Sequence, residues 1–434
     1  MRGKVLFPVL AVYALGALAV EPLRYDVTAD HAGCVARCGE RTTFTVTVTG
    51  TNGLPVAAGA VRATLDNFGT QQVAVATWNL AATNAFSLTG QLDAPGFLRL
   101  RLSPAPAGTG AKVWSVAYEP ERIGKGSPSP ADFNAYWAGE RARLRREVPL
   151  DPQVVRVPER STGKFDFYRV SFATFGRRVY GYLSVPTDRA KAPFPAHVEV
   201  NAAGFGGWTN DLHGRPDAIC LRMSVYPFEP DWRRQARGLK RTYDALNAAC
   251  EAKCGCGYSC AGIAVSREDY FFHPVLLGID RAVDWLAARP DVDRSRFVYE
   301  GTSQGGGFGL YLTGLNHAFT RAAFYVPAIT DTMGYLKGRQ SGWPQIVENN
   351  SKTPAARAAA ERWAPYFDGA NFAARIACPV RVAVGFSDTT CPPAAVYAAY
   401  NEIRVSDKGI VHGLGMTHSC FGKFYSELGA WVLK

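Results

Sequence analysis

Residues 296–307 read Arg296-Phe297-Val298-Tyr299-Glu300-Gly301-Thr302-Ser303-Gln304-Gly305-Gly306-Gly307. A short apolar strand runs into Gly-x-Ser-x-Gly, and Phe308 to Leu315 then continues with helical character. Strand, tight turn and helix in that order form the context in which such a serine occupies a strained turn, its hydroxyl projecting from the end of a sheet. The glycines at −2 and +2 let strand and helix pass where a Cβ would collide, and Gly306 and Gly307 extend that clearance. The turn also leaves backbone N–H groups free at the helix start, which favours a negative oxygen there. Ser303 therefore reads as a nucleophile.

A serine hydroxyl is a poor nucleophile without a base. Where this turn occurs, the partners follow along the chain as serine, acid, histidine. Three histidines follow Ser303: His317, His412 and His418. His317 lies near the end of the helix that leaves the serine and reads as structural. His412 sits on or at the end of a strand, in KGIVHGLG, whereas His418 sits in a loop before the final helix and is the expected base. Asp388, just past the strand VRVAVGF, is the expected acid; Asp331, Asp368 and Asp407 are the alternatives. The expected oxyanion donors are the N–H groups of Gln304 and of Phe205 in the loop AGFGG, where Gly206 and Gly207 give the backbone freedom.

Outward from this centre, residues 131–434 alternate strands and helices. Phe167–Phe172 and Val179–Val185 come first, then the central strands Ala196–Val200 and Ala218–Val225, and later RAAFYV and VRVAVGF. That alternation predicts an α/β fold: a mostly parallel sheet with helices on both faces. Residues of about 226–268 and 330–373 interrupt it as insertions. Residues 20–118 instead show period-two strands with turn signals, as in TTFTVTVTG, where Phe44, Val46 and Val48 share a face, and FLRLRL, where Leu98, Leu100 and Leu102 oppose Arg99 and Arg101. This predicts an all-β, immunoglobulin-like sandwich. It holds no catalytic cluster, and His31 reads as a surface histidine. Residues 119–130, rich in Pro, Gly and Ser, read as a linker; Ser129 then reads as a helix N-cap with Pro130 at the first helical position.

The chain begins with Arg2 and Lys4, an apolar run from Val5 to Leu18 and Ala17-Leu18-Ala19, the pattern of a cleavable signal peptide over residues 1–19. The run is shorter than the roughly 20 residues a spanning helix needs, so a secreted or periplasmic protein without a membrane span is expected. The formal charge of +11 falls by two, to +9, when Arg2 and Lys4 leave with that peptide. No run of Lys and Arg marks a nucleic-acid site. Ten cysteines in an exported chain suggest disulfides: Cys34 with Cys38, and pairs among Cys250, Cys254, Cys256 and Cys260, for which three pairings are open. The C-x3-C-x-C-x3-C spacing is not a usual zinc pattern.

Ser303-Gln304-Gly305-Gly306-Gly307 and Asp388-Thr389-Thr390-Cys391-Pro392-Pro393, with SPADFNAYWAGERARL and YRVSFATFGRRVYGYLSVP before them, resemble the acetyl xylan esterase / cephalosporin C deacetylase family, carbohydrate esterase family 7. The resemblance covers residues of about 130–434. It implies an α/β-hydrolase fold, with Ser303, Asp388 and His418 as nucleophile, acid and base and with Gln304 and Phe205 at the oxyanion positions. It further implies removal of small acyl groups, typically acetate, from sugar hydroxyls, no cofactor, and assembly into homo-oligomeric rings. The chain departs from the family pattern at Phe205, where the family has Tyr, and after AICLRM, where SVYPFEPDWR replaces Arg-Gly-Gln-Gly. The cysteine-rich insertion and the N-terminal region are additional. Two rivals remain open at this point: another acyl hydrolase on the same fold, and a sugar-binding protein with a decayed site.

Overall fold

The computed structural model describes residues 22–105, 111–205, 214–229, 236–418 and 421–433. The expected leader at 1–19, and Gly206 and Gly207, lie outside the described residues. Eight strands open the chain: β1 (Arg24–Ala29), β2 (Val35–Ala36), β3 (Thr42–Thr49), β4 (Ala60–Asp66), β5 (Gln72–Asn79), β6 (Ala85–Gly90), β7 (Gly96–Ala105) and β8 (Lys112–Tyr118). They form two sheets, ordered β1-β3-β6 and β2-β8-β7-β4-β5. The alternation places Phe44, Val46 and Val48 at 0% exposure, in one core with Val61, Ala63, Leu98 and Leu100.

The opposite face of β7 is not the solvated face that alternation predicts. Phe97 and Arg99 are both buried. Arg99 pairs bidentately with Asp66 at 2.8 and 3.1 Å and lies over the Phe68 ring. Phe97 packs edge-on to Phe386 with ring centres 5.1 Å apart, and the buried Ser115 hydroxyl donates to the Phe386 carbonyl. The rest of the chain covers this part of the face, so Phe97 and Arg99 make contacts there, whereas Arg101 further along stays exposed.

The second half is built on a nine-stranded mixed sheet. Its strands are β9 (Gln153–Arg156), β10 (Phe165–Thr174), β11 (Arg177–Pro186), β12 (Phe194–Val200), β13 (Ile219–Met223), β14 (Val292–Thr302), β15 (Arg321–Tyr325), β16 (Val380–Gly385) and β17 (Lys408–Gly413). The order is β17-β16-β15-β14-β12-β13-β11-β10-β9. From β13 to β17 neighbours run parallel, and the β11, β10 and β9 edge is antiparallel. Side chains of β14 point alternately to two cores, as the period of two requires. Phe297 and Tyr299 join Phe308 and Leu312 of the helix Gln304–Leu315 on one face. Val298 joins Phe424, Leu428 and Val432 of the C-terminal helical turns on the other.

One local expectation is corrected. The helix begins at Phe133 behind Asp132, not at Ser129, because the Ser129 hydroxyl donates to Asn371 Oδ1 at 2.6 Å and accepts from Lys125 at 3.0 Å. The segment 119–130 is also pinned down along its length: Gly126 N donates to Asp331 Oδ1 at 2.6 Å, and Asn401 Nδ2 donates to the carbonyls of Pro120 and Ile123 at 2.9 Å. The nine described cysteines are free thiols. No helix of the described residues is long and apolar enough to cross a membrane.

Phe97 is completely buried between the two halves. Its replacement in Phe97→Ala should lower stability by about 3–5 kcal/mol, the range for deleting a buried aromatic ring. Urea denaturation measures this, and a loss below about 1 kcal/mol, the scale of an ordinary surface change, would show that the ring is not packed as described.

Candidate active site

Ser303 sits between β14 and the helix Gln304–Leu315, at φ 57°, ψ −118°. An L-residue reaches that region only under constraint, and the constraint is visible. Ser303 N donates to the Tyr325 carbonyl at 2.8 Å, while the Ser303 carbonyl accepts from Gly307 N and Ala328 N, both at 2.9 Å. The glycines are steric necessities. A Cβ on Gly305 would lie 2.1 Å from the Val200 carbonyl oxygen, and one on Gly307 would lie 2.4 Å from that of Ala328. The helix thus starts against the ends of neighbouring strands, closer than any side chain allows.

His418 lies in the turn after β17, and its Nε2 is 2.9 Å from Ser303 Oγ. Its Nδ1 is 2.8 Å from Asp388 Oδ2. Asp388, fully buried in the loop after β16, is oriented through its other oxygen, which accepts from Thr390 N at 2.8 Å and Cys391 N at 2.9 Å. This leaves the Nδ1–H tautomer facing the carboxylate and Nε2 free to accept the serine proton. The other candidates are placed elsewhere. Exposed His317 is in a turn after the helix, and His412 pairs with Tyr397 at 2.6 Å. Buried Asp331 pairs with Arg339, Asp368 accepts from the N–H groups of Asp331, Thr332 and Ala370, and Asp407 pairs with Arg381.

Gln304 opens the helix beside the serine, and its N–H makes no backbone bond among the described residues. Its buried side chain accepts from the Tyr258 hydroxyl at 2.7 Å and donates to the Asn201 carbonyl at 3.1 Å. Phe205 lies in the turn that follows Asn201, where the Gly204 carbonyl accepts from Tyr226. Ala202 and Ala203 of this loop line the cavity of about 560 Å³ that opens at Ser303 and His418. Tyr258 belongs to the cysteine-rich insertion, so that insertion is packed directly beneath the serine turn. Nothing local in CEAKCGCGYSC announced this contact.

The same cavity has a charged floor that the sequence reading did not single out. Glu199 on β12 lies in register with Arg222 on β13 and with Glu300 on β14. His197 Nε2 lies 3.2 Å from Glu300 Oε2 and 3.8 Å from Glu199 Oε1. The Tyr325 hydroxyl donates to Glu300 at 2.6 Å, and Arg222 lies 3.8 Å from Glu199. A signal was present: His197, Glu199, Arg222 and Glu300 are polar residues inside central parallel strands, which are ordinarily apolar throughout. Burial opposes charge on His197, but the nearby Cys220, Glu300 and Glu199 favour it more strongly and raise its pKa well above the ordinary value. Burial likewise raises Glu300, but His197 and Tyr325 outweigh it and hold it below its usual range.

Among the described residues, two sets of side chains bring three ligand-type atoms within 4.8 Å: Asp388, Cys391 and His418, and His197, Glu199 and Glu300. The first set contains the hydrogen-bonded pair at the serine. In the second, the two carboxylates face His197 and Arg222.

Linkage gives the pH window of this floor. Glu300, lowered in the fold, contributes stability above its ordinary 4.5 that is lost as pH falls through its folded value. His197, raised in the fold, contributes stability below its ordinary 6.5 that is lost as pH rises through its folded value. Glu300→Gln should therefore lower Tm most between pH 4.5 and 6.5. A Tm difference that is flat with pH would contradict the ion pair.

The family model described as acetyl xylan esterase (AXE1) matches residues 121–432. The acetyl esterase Axe7A of Xylanibacter ruminicola is 29% identical over 331 residues, covering 74% of this chain and 71% of that protein. Among solved structures, an acetyl xylan esterase from Paenibacillus sp. R4 aligns with a TM-score of 0.59 at 22% identity, covering 72% of this chain and 98% of the other. Acetyl xylan esterase 1 from Thermoanaerobacterium sp. JW/SL YS485 aligns with a TM-score of 0.59 at 20% identity, over 73% of this chain and 97% of the other. At these identities the structural likeness speaks for the fold, an α/β-hydrolase with a mixed sheet and helices.

Proposed function

Because the chain belongs to the acetyl xylan esterase family and is a carboxylic ester hydrolase, we propose that it removes acetyl and other small acyl groups from carbohydrate esters such as acetylated xylan through Ser303, His418 and Asp388. The observation that carries this is the continuous hydrogen-bonded chain Ser303–His418–Asp388, at 2.9 and 2.8 Å, opening into the cavity. In the first step Ser303 Oγ bonds to the ester carbonyl carbon while His418 Nε2 takes the hydroxyl proton. Asp388 holds the imidazole and stabilises its charge. Collapse of the tetrahedral species breaks the bond to the sugar oxygen, which leaves as an alcohol with the proton from His418. Water then attacks the acyl-enzyme by the same route and releases the carboxylic acid and free Ser303.

The N–H groups of Gln304 and Phe205 are our oxyanion donors. Gln304 is supported by its place at the helix start, where N–H groups are unpaired. Phe205 is supported by its loop, which follows β12 and lines the same cavity. Each such donor is worth about 10²–10³ in turnover.

Acetate release from acetylated xylan tests the reading. Ser303→Ala should reduce it by about 10⁴-fold or more, the scale seen when a triad member is lost. Acetate release that persists in Ser303→Ala would remove the nucleophile from the proposal.

We also read the protein as exported, with residues 1–19 a cleaved leader, residues 20–118 an immunoglobulin-like domain, 119–130 the joining segment and 131–434 the catalytic domain. Two sheets with a shared apolar core support the second of these. Export would expose the cysteines to oxidation. Cys256 lies beside Cys260, which supports pairing them, with Cys250 and Cys254 then the other pair of the four. In exported protein the N-terminus should be Val20 and a non-reducing digest should yield Cys256 linked to Cys260. Free thiols at both positions in that digest of exported protein would rule the pairing out.

A further inference from the structure

An acetyl group is far smaller than the cavity at Ser303, whose roughly 560 Å³ falls in the range that holds a drug-sized ligand. That cavity does not stop at the reacting bond. Trp343 and Thr390 line it and also line a second, larger cavity of about 800 Å³. One wall of the second cavity is the cysteine-rich insertion, from Glu251 through Gly255–Gly257 to Ser259. The other wall is the segment 340–352. The hydroxyl of Tyr258 in the insertion donates to Gln304 beside the nucleophile, so the outer wall and the serine turn are directly linked.

The lining chemistry is selective. Trp343 offers a broad indole at the junction, suited to the apolar face of a pyranose ring. Beyond it, the side chains of Gln345, Glu348 and Lys352 make no hydrogen bond or ion pair among the described residues. An amide and a carboxylate with open donor and acceptor positions match vicinal hydroxyls. A lipid acyl chain would need an apolar trough, which this mixture of amides, hydroxyls and charges does not provide.

We propose that the second cavity binds the saccharide chain beyond the acetylated sugar, with Trp343 as the platform at the junction and Gln345 and Glu348 as hydrogen-bonding partners for at least two further sugar residues. This rests on the reading that the Ser303 site deacetylates carbohydrate esters, and it makes an acetylated oligo- or polysaccharide, rather than an acetylated monosaccharide, the preferred substrate. The cysteine-rich insertion is then a specificity element.

The test uses the full chain and compares kcat/KM on acetylated xylose, xylobiose and xylotetraose, each divided by the value on p-nitrophenyl acetate. The ratio should rise about tenfold from the monosaccharide to the tetrasaccharide, equivalent to one or two net hydrogen bonds. In the double variant Gln345→Ala, Glu348→Ala the rise should flatten, with p-nitrophenyl acetate turnover reporting that the variant is folded. Calorimetric titration of Ser303→Ala with unacetylated xylohexaose gives a second readout: binding is expected, and should weaken when Gln345→Ala and Glu348→Ala are added. A flat length dependence in native protein that still cleaves p-nitrophenyl acetate overturns the groove alone. A rise that survives the double variant unchanged also overturns it. Failure to cleave any acetyl ester, p-nitrophenyl acetate included, overturns the esterase reading beneath it.

Discussion

The start of the helix at Gln304 lies so close to the ends of β12 and β15 that Gly305 and Gly307 have no room for a Cβ against the carbonyls of Val200 and Ala328. Much of the catalytic half follows from this contact. It sets the strained conformation of Ser303, holds the helix N-terminus at the level of the strand ends, and brings the loops after β12, β16 and β17 to one rim of the sheet. Strain at one residue is sustained because several backbone hydrogen bonds and two strand ends oppose its release. A substitution at Gly305 or Gly307 would have to move backbone, not a side-chain tip.

The N-terminal sheets share in this geometry. Ser115 and Phe97 contact Phe386, two residues before Asp388. Trp114 lies so close to Gly415 that a Cβ there would sit 2.1 Å from its ring, three residues before His418. Thr70 N and Gln340 N exchange backbone hydrogen bonds with the Gly338 and Phe68 carbonyls at 3.0 and 2.9 Å. The eight opening strands thus brace the two loops that carry Asp388 and His418. The cost of that docking is written in β7, where an arginine is buried and must be paired with Asp66 to be tolerated.

The cavity floor shows the same interplay of burial and charge. Where the C-terminal turns cover the sheet, Val298, Ala323 and Tyr325 meet Phe424 and Leu428 in a small apolar core. On the same face, beside that cover, the strands present Glu300, Glu199, Arg222 and His197. Mutual pairing keeps these charges in place and leaves a polar floor beneath a site whose products are an alcohol and an acid.

By itself the sequence determined the class of fold and the glycine-flanked serine turn, and it set Asp388 and His418 in that order after Ser303, because each is encoded locally or by spacing along the chain. A glycine two residues from a serine records a close approach directly, and alternation records a strand. Tertiary structure alone decided what the polar residues inside central strands face, that Phe97 and Arg99 look into a docked surface, and that Tyr258 of the insertion holds Gln304. It also decided where the first helix begins, since the Ser129 hydroxyl is taken by Asn371, 242 positions further along the chain. The reason is common to all of these: each depends on partners distant in sequence, competing for the same hydrogen bond or the same face, and no local pattern states which partner wins.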